Sequence, residues 1–276
     1  MKFSLILCTI NRYDELNNFL FSLNTQIYNN FELIIVDQNS DMHVKSIIAK
    51  YNYDIIYLKS EPGLSKARNV ALKYVSGDII AFPDDDCEYP KELLKSVNDF
   101  FVKYYEYDAI SGRSVDARGR TSVSHFDIAP GIITIDNVFK RANSITIFLK
   151  NKLVESTGYF DEQLGLGAKS PFLASEEIDY LIRAIKYGYK IYFDPSIIIF
   201  HNEPVKEYSE IIILRGYFYG AGYGRVARKH MLSSKHVFLM FIRPLGGFLL
   251  SLFFLRWKKA RYHFFVLKGR LMGWFA

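Results

Sequence analysis

Through the first 110 residues, short apolar runs alternate with segments in which apolar positions recur every three or four residues. Phe3–Thr9 is one such run and predicts a buried strand. The polar break Asn11-Arg12-Tyr13-Asp14 follows, after which Leu16, Phe19, Leu20 and Leu23 fall on one helical face. The alternation continues with a strand over Phe31–Asp37, a helix over Val44–Tyr51 and a strand over Asp54–Leu58. A helix over Ser65–Val75 comes next, opened by Gly63-Leu64-Ser65 and closed by Gly77. A fourth strand, Ile79–Phe82, and a helix over Leu93–Tyr105 complete the series. Strands alternating with helices predict an α/β fold with a doubly wound, mostly parallel sheet.

Beyond residue 108 the pattern loosens. Ala109–Gly112, Ile145–Leu149, Ile191–Phe193 and Ile197–Phe200 read as strands, and Glu176–Tyr187 as a helix. Gly165 and Gly167 mark the loop after Gly158 as a candidate lid. Residues 1–204 are expected to form one domain, with halves 1–110 and 111–204, and 205–276 a helical tail. Within the tail, 237–255 is almost wholly apolar, but Arg243-Pro244 and Gly246-Gly247 cut it. The uninterrupted part falls short of the ~20 apolar residues that a spanning helix needs.

Charge sharpens this division. Residues 1–204 carry 22 Lys/Arg and 27 Asp/Glu, whereas 205–276 carry 13 Lys/Arg and only Glu207 and Glu210. Basic residues beside apolar, aromatic stretches suit a helix lying at a membrane surface. A folded helical subdomain or an oligomer interface would use the same residues. Cys8 and Cys87 have no metal-type spacing and read as buried thiols. No signal-peptide pattern marks the start, so a cytoplasmic chain is expected.

The predicted strands end in polar residues: Thr9 and Asn11, Asp37 and Ser40, Asp84-Asp85-Asp86. In a parallel sheet such ends converge on one crevice, where open α/β folds bind ligands. Clustered carboxylates there suit Mg²⁺ or Mn²⁺, hard cations that share oxygen ligands with substrate phosphates.

Six segments, in order, carry a more specific signal. They are Leu7-Cys8-Thr9-Ile10-Asn11-Arg12, the run Glu32 to Ser40, Gly63-Leu64-Ser65-Lys66-Ala67-Arg68-Asn69, Phe82-Pro83-Asp84-Asp85-Asp86, Gly158-Tyr159-Phe160-Asp161-Glu162, and the run Glu176 to Arg183. Together they resemble the inverting family 2 glycosyltransferases with the GT-A fold, over about three quarters of the chain. The resemblance implies transfer of a sugar from a UDP- or dTDP-sugar to a glycan or polyprenyl-linked glycan, as in surface-polysaccharide synthesis. It also implies a nucleotide-binding half and an acceptor half and leaves the basic tail outside it. The tail's own charge and apolar patterning leads to the expectation that it lies at the cytoplasmic face of the plasma membrane.

Residue roles follow from the resemblance. Asp86 ligates the metal, Asp84 contacts the ribose or the metal, and Asp85 supports them from behind. His201, at a strand end, supplies a further ligand. Thr9, Asn11 and Arg12 line one side of the nucleotide. Asp37 accepts from the imide N–H of uracil or thymine, which suits a carboxylate, and Ser40 reinforces it. Lys66 and Arg68, near a helix start, reach the base or the diphosphate. The family's acidic pair reads Glu176-Glu177 where Asp is usual second, placing Glu177 as general base with Glu176 as the alternative. Asp161 and Glu162 are candidates for sugar hydroxyls, and Asp179 and Arg183 for an ion pair four residues apart.

Three other readings compete. A nucleotidyltransferase would bring a Gly-rich basic loop after the first strand, and Thr9-Ile10-Asn11-Arg12-Tyr13 has no glycine. A nucleic-acid binder is motivated by the basic tail, but the proposed crevice is acidic, so no nucleic-acid partner is expected. A catalytically inactive, nucleotide-sugar-binding scaffold would have no need of the intact acidic positions.

Overall fold

The computed structural model describes residues 1–122, 126–201 and 207–276. The chain divides into two units. The first comprises Met1–Pro62, Lys66–Tyr159 and Leu181–Pro204, and the second Gly63–Ser65, Phe160–Tyr180 and Val205–Ala276. The boundary expected at 204/205 lies outside the described residues.

The chain opens with β1 (Phe3–Thr9), α1 (Tyr13–Asn24), β2 (Phe31–Asp37), α2 (His43–Ile48), β3 (Ile55–Lys59) and α3 (Leu64–Ala71). It continues through β4 (Ile79–Ala81), β5 (Cys87–Glu88), α4 (Leu93–Lys103), β6 (Ala109–Val115), β7 (Gly131–Ile133) and α5 (Val138–Arg141). Then come β8 (Ile147–Lys150), α6 (Asn151–Thr157), α7 (Glu176–Lys186) and β9 (Ile191–His201). Among the described residues, nine strands form one sheet, ordered β3-β2-β1-β4-β8-β6-β9-β5, with β7 paired to β9. The first four in that order run parallel, as the alternating pattern predicts. Residues on both sides of β1 and β2 are buried, so these strands read as continuous apolar runs. Leu5, Leu7, Leu33 and Ile35 share a core with Leu16, Phe19 and Leu20 of α1 and Val97 and Phe101 of α4.

The other half corrects the expectation of a mostly parallel sheet. The β4–β8, β6–β8, β5–β9 and β7–β9 pairs are antiparallel, and only β6–β9 is parallel, so the sheet is mixed. The two strands expected over 191–200 are one, β9, which passes through Pro195. The Pro195 carbonyl accepts from Arg113 Nε at 2.8 Å, and the β6–β9 register shifts between Ser111 and Arg113. Gly112 sits in that shift, where a Cβ would lie 2.1 Å from the Ile197 carbonyl oxygen.

Glu32 ties together the N-terminal ends of β1 and β2. It is buried on β2 and accepts from Lys2 Nζ, from Ser4 Oγ at 2.5 Å and from the Ser76 amide at 2.8 Å. Burial alone would raise its pKa, but the bonds from Lys2, Ser4 and Ser76 win and hold it at about 2, against 4.5 ordinarily. A depressed carboxyl contributes stability that is full above its unfolded value and lost as pH falls through the folded one. Wild-type stability is therefore expected to drop between pH 4.5 and about 2. Glu32→Gln should flatten that limb and lower neutral-pH stability by roughly 3 kcal/mol. Chemical denaturation across a pH series checks this, and an unchanged acid limb would contradict it.

In the second unit, the tail forms α8 (Glu210–Lys229), α9 (Ser234–Phe253) and α10 (Trp257–Phe275). Ser209 and Ser233 cap α8 and α9 through their hydroxyls. α8 and α10 meet backbone to backbone. A Cβ on Gly269 would lie 2.0 Å from the Tyr217 carbonyl oxygen, and one on Gly273 1.9 Å from that of Ala221. The interruption expected at Arg243-Pro244 and Gly246-Gly247 does not occur. α9 runs unbroken for 20 residues around a buried Pro244 and is long and apolar enough to cross a membrane.

Candidate active site

Parallel pairing brings the strand tips together in the first unit. Thr9 at the end of β1 lies in register with Asp37 at the end of β2, and Cys8 bridges to Asp84 beyond β4. The chain leaves β1 through Asn11, whose φ of 55° is in the left-handed region. That turn aims the Asn11 amide at Asn39 Oδ1, 2.7 Å away. Such non-glycine strain concentrates at functional sites.

The three aspartates occupy different surroundings. Asp85 is buried, accepts from Thr9 Oγ1 at 2.7 Å and pairs with Arg12 Nη1 at 3.0 Å. Burial pushes its pKa up despite those bonds. Asp86 pairs with the same Arg12 nitrogen and lies 3.3 Å from His201 Nε2. Burial opposes its charge, but His201 and Arg12 outweigh burial and hold its carboxyl below the usual range. Asp84 is partly exposed and sits 3.6 Å from Arg68. Arg68 is itself buried, with its guanidinium over the Phe82 ring, so it does not lie on a solvated helix face.

Asp37 is fully buried. Its Oδ1 accepts from the Asn39 amide and Nδ2, and its Oδ2 from Tyr57 Oη at 2.6 Å and Lys59 Nζ at 2.8 Å. Burial opposes its charge and these donors lower its pKa. Accepting from a base imide thus requires one of them to yield, and Lys59, partly exposed, is the one with water to turn to. Ser40 is exposed beside this cluster, and Lys66 pairs with Glu61.

A three-residue ligand set of Asp84, Asp86 and His201 is not assembled. Among the described residues no three His, Cys, Asp or Glu are grouped to hold a metal. Asp86 and His201 do converge, and a carboxylate with an imidazole fits Mn²⁺ or Mg²⁺ when diphosphate oxygens and water complete the shell. Tyr57 and Lys59 are the cluster's unforeseen members, and Arg12, expected beside the nucleotide, has carboxylate partners that were not expected. Arg12 is adjacent to the strand end, but its grip on Asp85 and Asp86 spans more than 70 residues.

The acidic pair lies in the second unit. Ser175, with φ of 70°, turns the chain into α7. Glu176, Glu177 and Asp179 fill the first turn, where the helix dipole favours anions. Glu176 is buried and Glu177 partly exposed. The 160–168 loop folds against this turn. Gly165 has φ of 95°, and a Cβ there would come within 3.2 Å of the Glu176 carboxyl. The loop is held by bonds from the Leu64 amide to Leu166 O at 2.8 Å and from Ser65 Oγ to Leu164 O at 2.6 Å. Asp179 is buried between two tail residues, Lys229 Nζ and His230 Nε2, each at 2.8 Å. Lys229 also reaches Asp161 at 2.7 Å. Arg183 donates to the Thr157 carbonyl at 2.6 Å and the Tyr159 carbonyl at 2.8 Å.

Comparison with known proteins gives this geometry a context. Residues 4–157 match Glycosyl transferase family 2. Glycosyltransferase AglE of Haloferax volcanii is 24% identical over 265 residues, which cover 89% of this chain and 81% of AglE. The poly(ribitol-phosphate) beta-N-acetylglucosaminyltransferase TarS of Staphylococcus aureus is 29% identical over 173 residues, 59% of this chain but only 30% of TarS. The crystal structure of TarS 1–349 superposes with a TM-score of 0.63 at 20% identity, covering 99% of this chain and 92% of that one. The same TarS fragment has been solved with UDP-GlcNAc. The mannosyltransferase PcManGT of Pyrobaculum calidifontis, solved with GDP-Man and Mn²⁺, superposes with a TM-score of 0.63 at 15% identity, covering 98% of this chain and 87% of that one. With the family match spanning more than half of its length and a GT-A-like fold around it, this chain belongs to glycosyl transferase family 2 and is a glycosyltransferase.

Proposed function

We propose that the chain is an inverting, metal-dependent transferase moving a sugar from a UDP- or dTDP-sugar to a hydroxyl of a glycan or polyprenyl-linked glycan in surface-polysaccharide synthesis. The observation that carries this reading is the acidic cluster at the tips of β1, β2 and β4, where Asp86 meets His201. TarS, solved with UDP-GlcNAc, and PcManGT, solved with GDP-Man and Mn²⁺, support a nucleotide-sugar donor.

Asp86 and His201 would hold the divalent cation, with Asp84 beside them contacting the ribose or the metal. A bound cation supplies charge neutralisation to the diphosphate leaving group. Asp85, fixed by Thr9 and Arg12, keeps the Asp86 loop in place. Arg12 is half exposed and can exchange Asp86 for the diphosphate, stabilising the charge that develops there. Asn11, Asp37, Ser40, Lys66 and Arg68 line or buttress the nucleotide side. Glu177 takes the proton from the acceptor hydroxyl. The acceptor oxygen then bonds to the sugar's anomeric carbon as the bond to the diphosphate oxygen breaks, and configuration inverts. The partial exposure of Glu177, against the burial of Glu176, favours it as the base.

The tail in this reading rests on the cytoplasmic face of the membrane. α9 exposes Phe238, Leu249, Leu250 and Phe253. Arg243 is exposed near its middle, and a charge at the bilayer centre costs ~3 kcal/mol or more, which favours lying on the surface over spanning.

The test supplies UDP- and dTDP-sugars with a polyprenyl-diphosphate-linked sugar and follows nucleotide release and product. Acceptor-dependent release with an inverted anomeric centre is expected. Retention of configuration, or no transfer from either donor class, would sink the reading.

A further inference from the structure

The start of α10 lines an open cleft of about 920 Å³ in the second unit. Arg256, Lys258 and Lys259 bring three cations to it, and Tyr208, Trp257 and Tyr262 give it aromatic walls. None of the described residues lining it is acidic. Of the two carboxylates near Tyr208 in sequence, Glu210 is engaged by Arg261 and Glu207 is exposed. Among the described residues lining the cleft, no carboxylate offsets these cations.

Its lip is apolar and open to solvent. Phe253, Phe254, Leu255 and Trp257 are 79%, 61%, 70% and 65% exposed. Leu255, with φ of 53°, turns the chain sharply between α9 and α10 and so sets the apolar lip beside the cations. The lip continues an exposed stripe along α9: Phe238, Ile242, Leu245, Leu249 and Phe253 recur at helical spacing. At 1.5 Å per residue that stripe runs about 22 Å. A cationic cleft at the end of an apolar stripe matches a ligand with an anionic head and hydrocarbon chains that lie in a continuous apolar layer. Tryptophan and tyrosine favour that boundary.

We propose that this cleft binds the phosphate head of an anionic phospholipid, so that the tail selects anionic membrane rather than apolar surface in general. This rests on the membrane reading of the tail. The continuity of the stripe with the cleft points to a bilayer lipid, because its chains stay in the layer that covers α9. The headgroup phosphate meets Arg256, Lys258 and Lys259, and the glycerol and upper chains pack on Trp257 and Phe254.

The test uses the full chain with vesicles of phosphatidylcholine, the same vesicles with phosphatidylglycerol, and neutral vesicles carrying a polyprenyl diphosphate. Co-sedimentation is measured for wild type, for Lys258→Ala with Lys259→Ala, and for Lys50→Ala with Lys73→Ala as an equal-charge control. Wild type is expected to prefer phosphatidylglycerol vesicles. The first double variant should lose about thirtyfold of that binding, the scale of two interfacial cations, with unchanged binding to phosphatidylcholine and an unchanged melting temperature. The control pair should lose little.

Equal losses in both variants would reduce the effect to net charge and overturn the proposal. Binding confined to polyprenyl diphosphate would overturn the assigned ligand. Equal binding to neutral and anionic vesicles would overturn the cleft while leaving the membrane reading standing. No binding to any vesicle would remove the membrane reading, and the cleft proposal with it.

Discussion

Asp86→Ala is expected to abolish the metal response of turnover and to lower kcat/KM about a hundredfold or more, the scale of losing a principal stabiliser of leaving-group charge. Asp86 is the one carboxylate of the three that meets an imidazole, at 3.3 Å. Its lowered pKa keeps it ionised and able to ligate at any pH near neutral. Asp84 has Arg68 beside it, and Asp85 is buried against Thr9 and Arg12, so neither is placed to substitute. The fold should survive, because Asp86 lies on a loop after β4 and Asp85 retains its pairing with Arg12. Steady-state rates across a Mn²⁺ titration read the effect. A variant whose rate still rises with Mn²⁺ as wild type does would remove Asp86 from the metal site.

Glu177→Gln should leave nucleotide affinity unchanged and lower kcat by about 10²–10⁴-fold, the range for losing a positioned general base. The amide keeps size and hydrogen bonding but cannot take the acceptor proton. Glu176→Gln is the comparison. Glu176 is buried where the backbone of Gly165 crowds it, so its substitution should disturb the 160–168 loop more than proton transfer. Rates and nucleotide binding measured on both variants separate the two carboxylates. Near-normal transfer by Glu177→Gln would reassign the base.

These roles were legible to very different degrees. β1 to β4 and their helices followed from apolar runs because both faces of that part of the sheet are buried. Their parallel direction followed from the intervening helices. The second half gave no such cue. β5 and β7 are two and three residues long, and their direction is set by pairing with β9, remote in sequence. β9 looked like two strands because Pro195 sits inside it. The proline is accommodated where its carbonyl serves Arg113 and where Gly112 lets the neighbouring strand approach. In the tail, four glycines in α8 argue against a helix by propensity. Close packing against Gly269 and Gly273 of α10 overrides that cost, and no local pattern announces it.

The site divides the same way. The tips Thr9, Asp37 and Asp84 to Asp86 were readable because each closes an apolar run, and strand order then makes them neighbours. The partners that set their charge were not. Lys59 and Tyr57 on Asp37, Arg68 on Asp84 and the Lys229–His230 pair on Asp179 are long-range ion pairs and hydrogen bonds. Asp179 and Arg183 have helical spacing, yet Asp179 is sandwiched by tail residues and Arg183 serves two carbonyls.

The most direct test of a metal-assisted nucleotide site is calorimetric binding of UDP, dTDP, GDP and CDP to the full chain, with and without Mn²⁺. UDP or dTDP should bind, Mn²⁺ should tighten that binding, and Asp86→Ala should erase the difference while the protein stays folded. Binding that ignores Mn²⁺, or no binding of any of the four, would contradict the account.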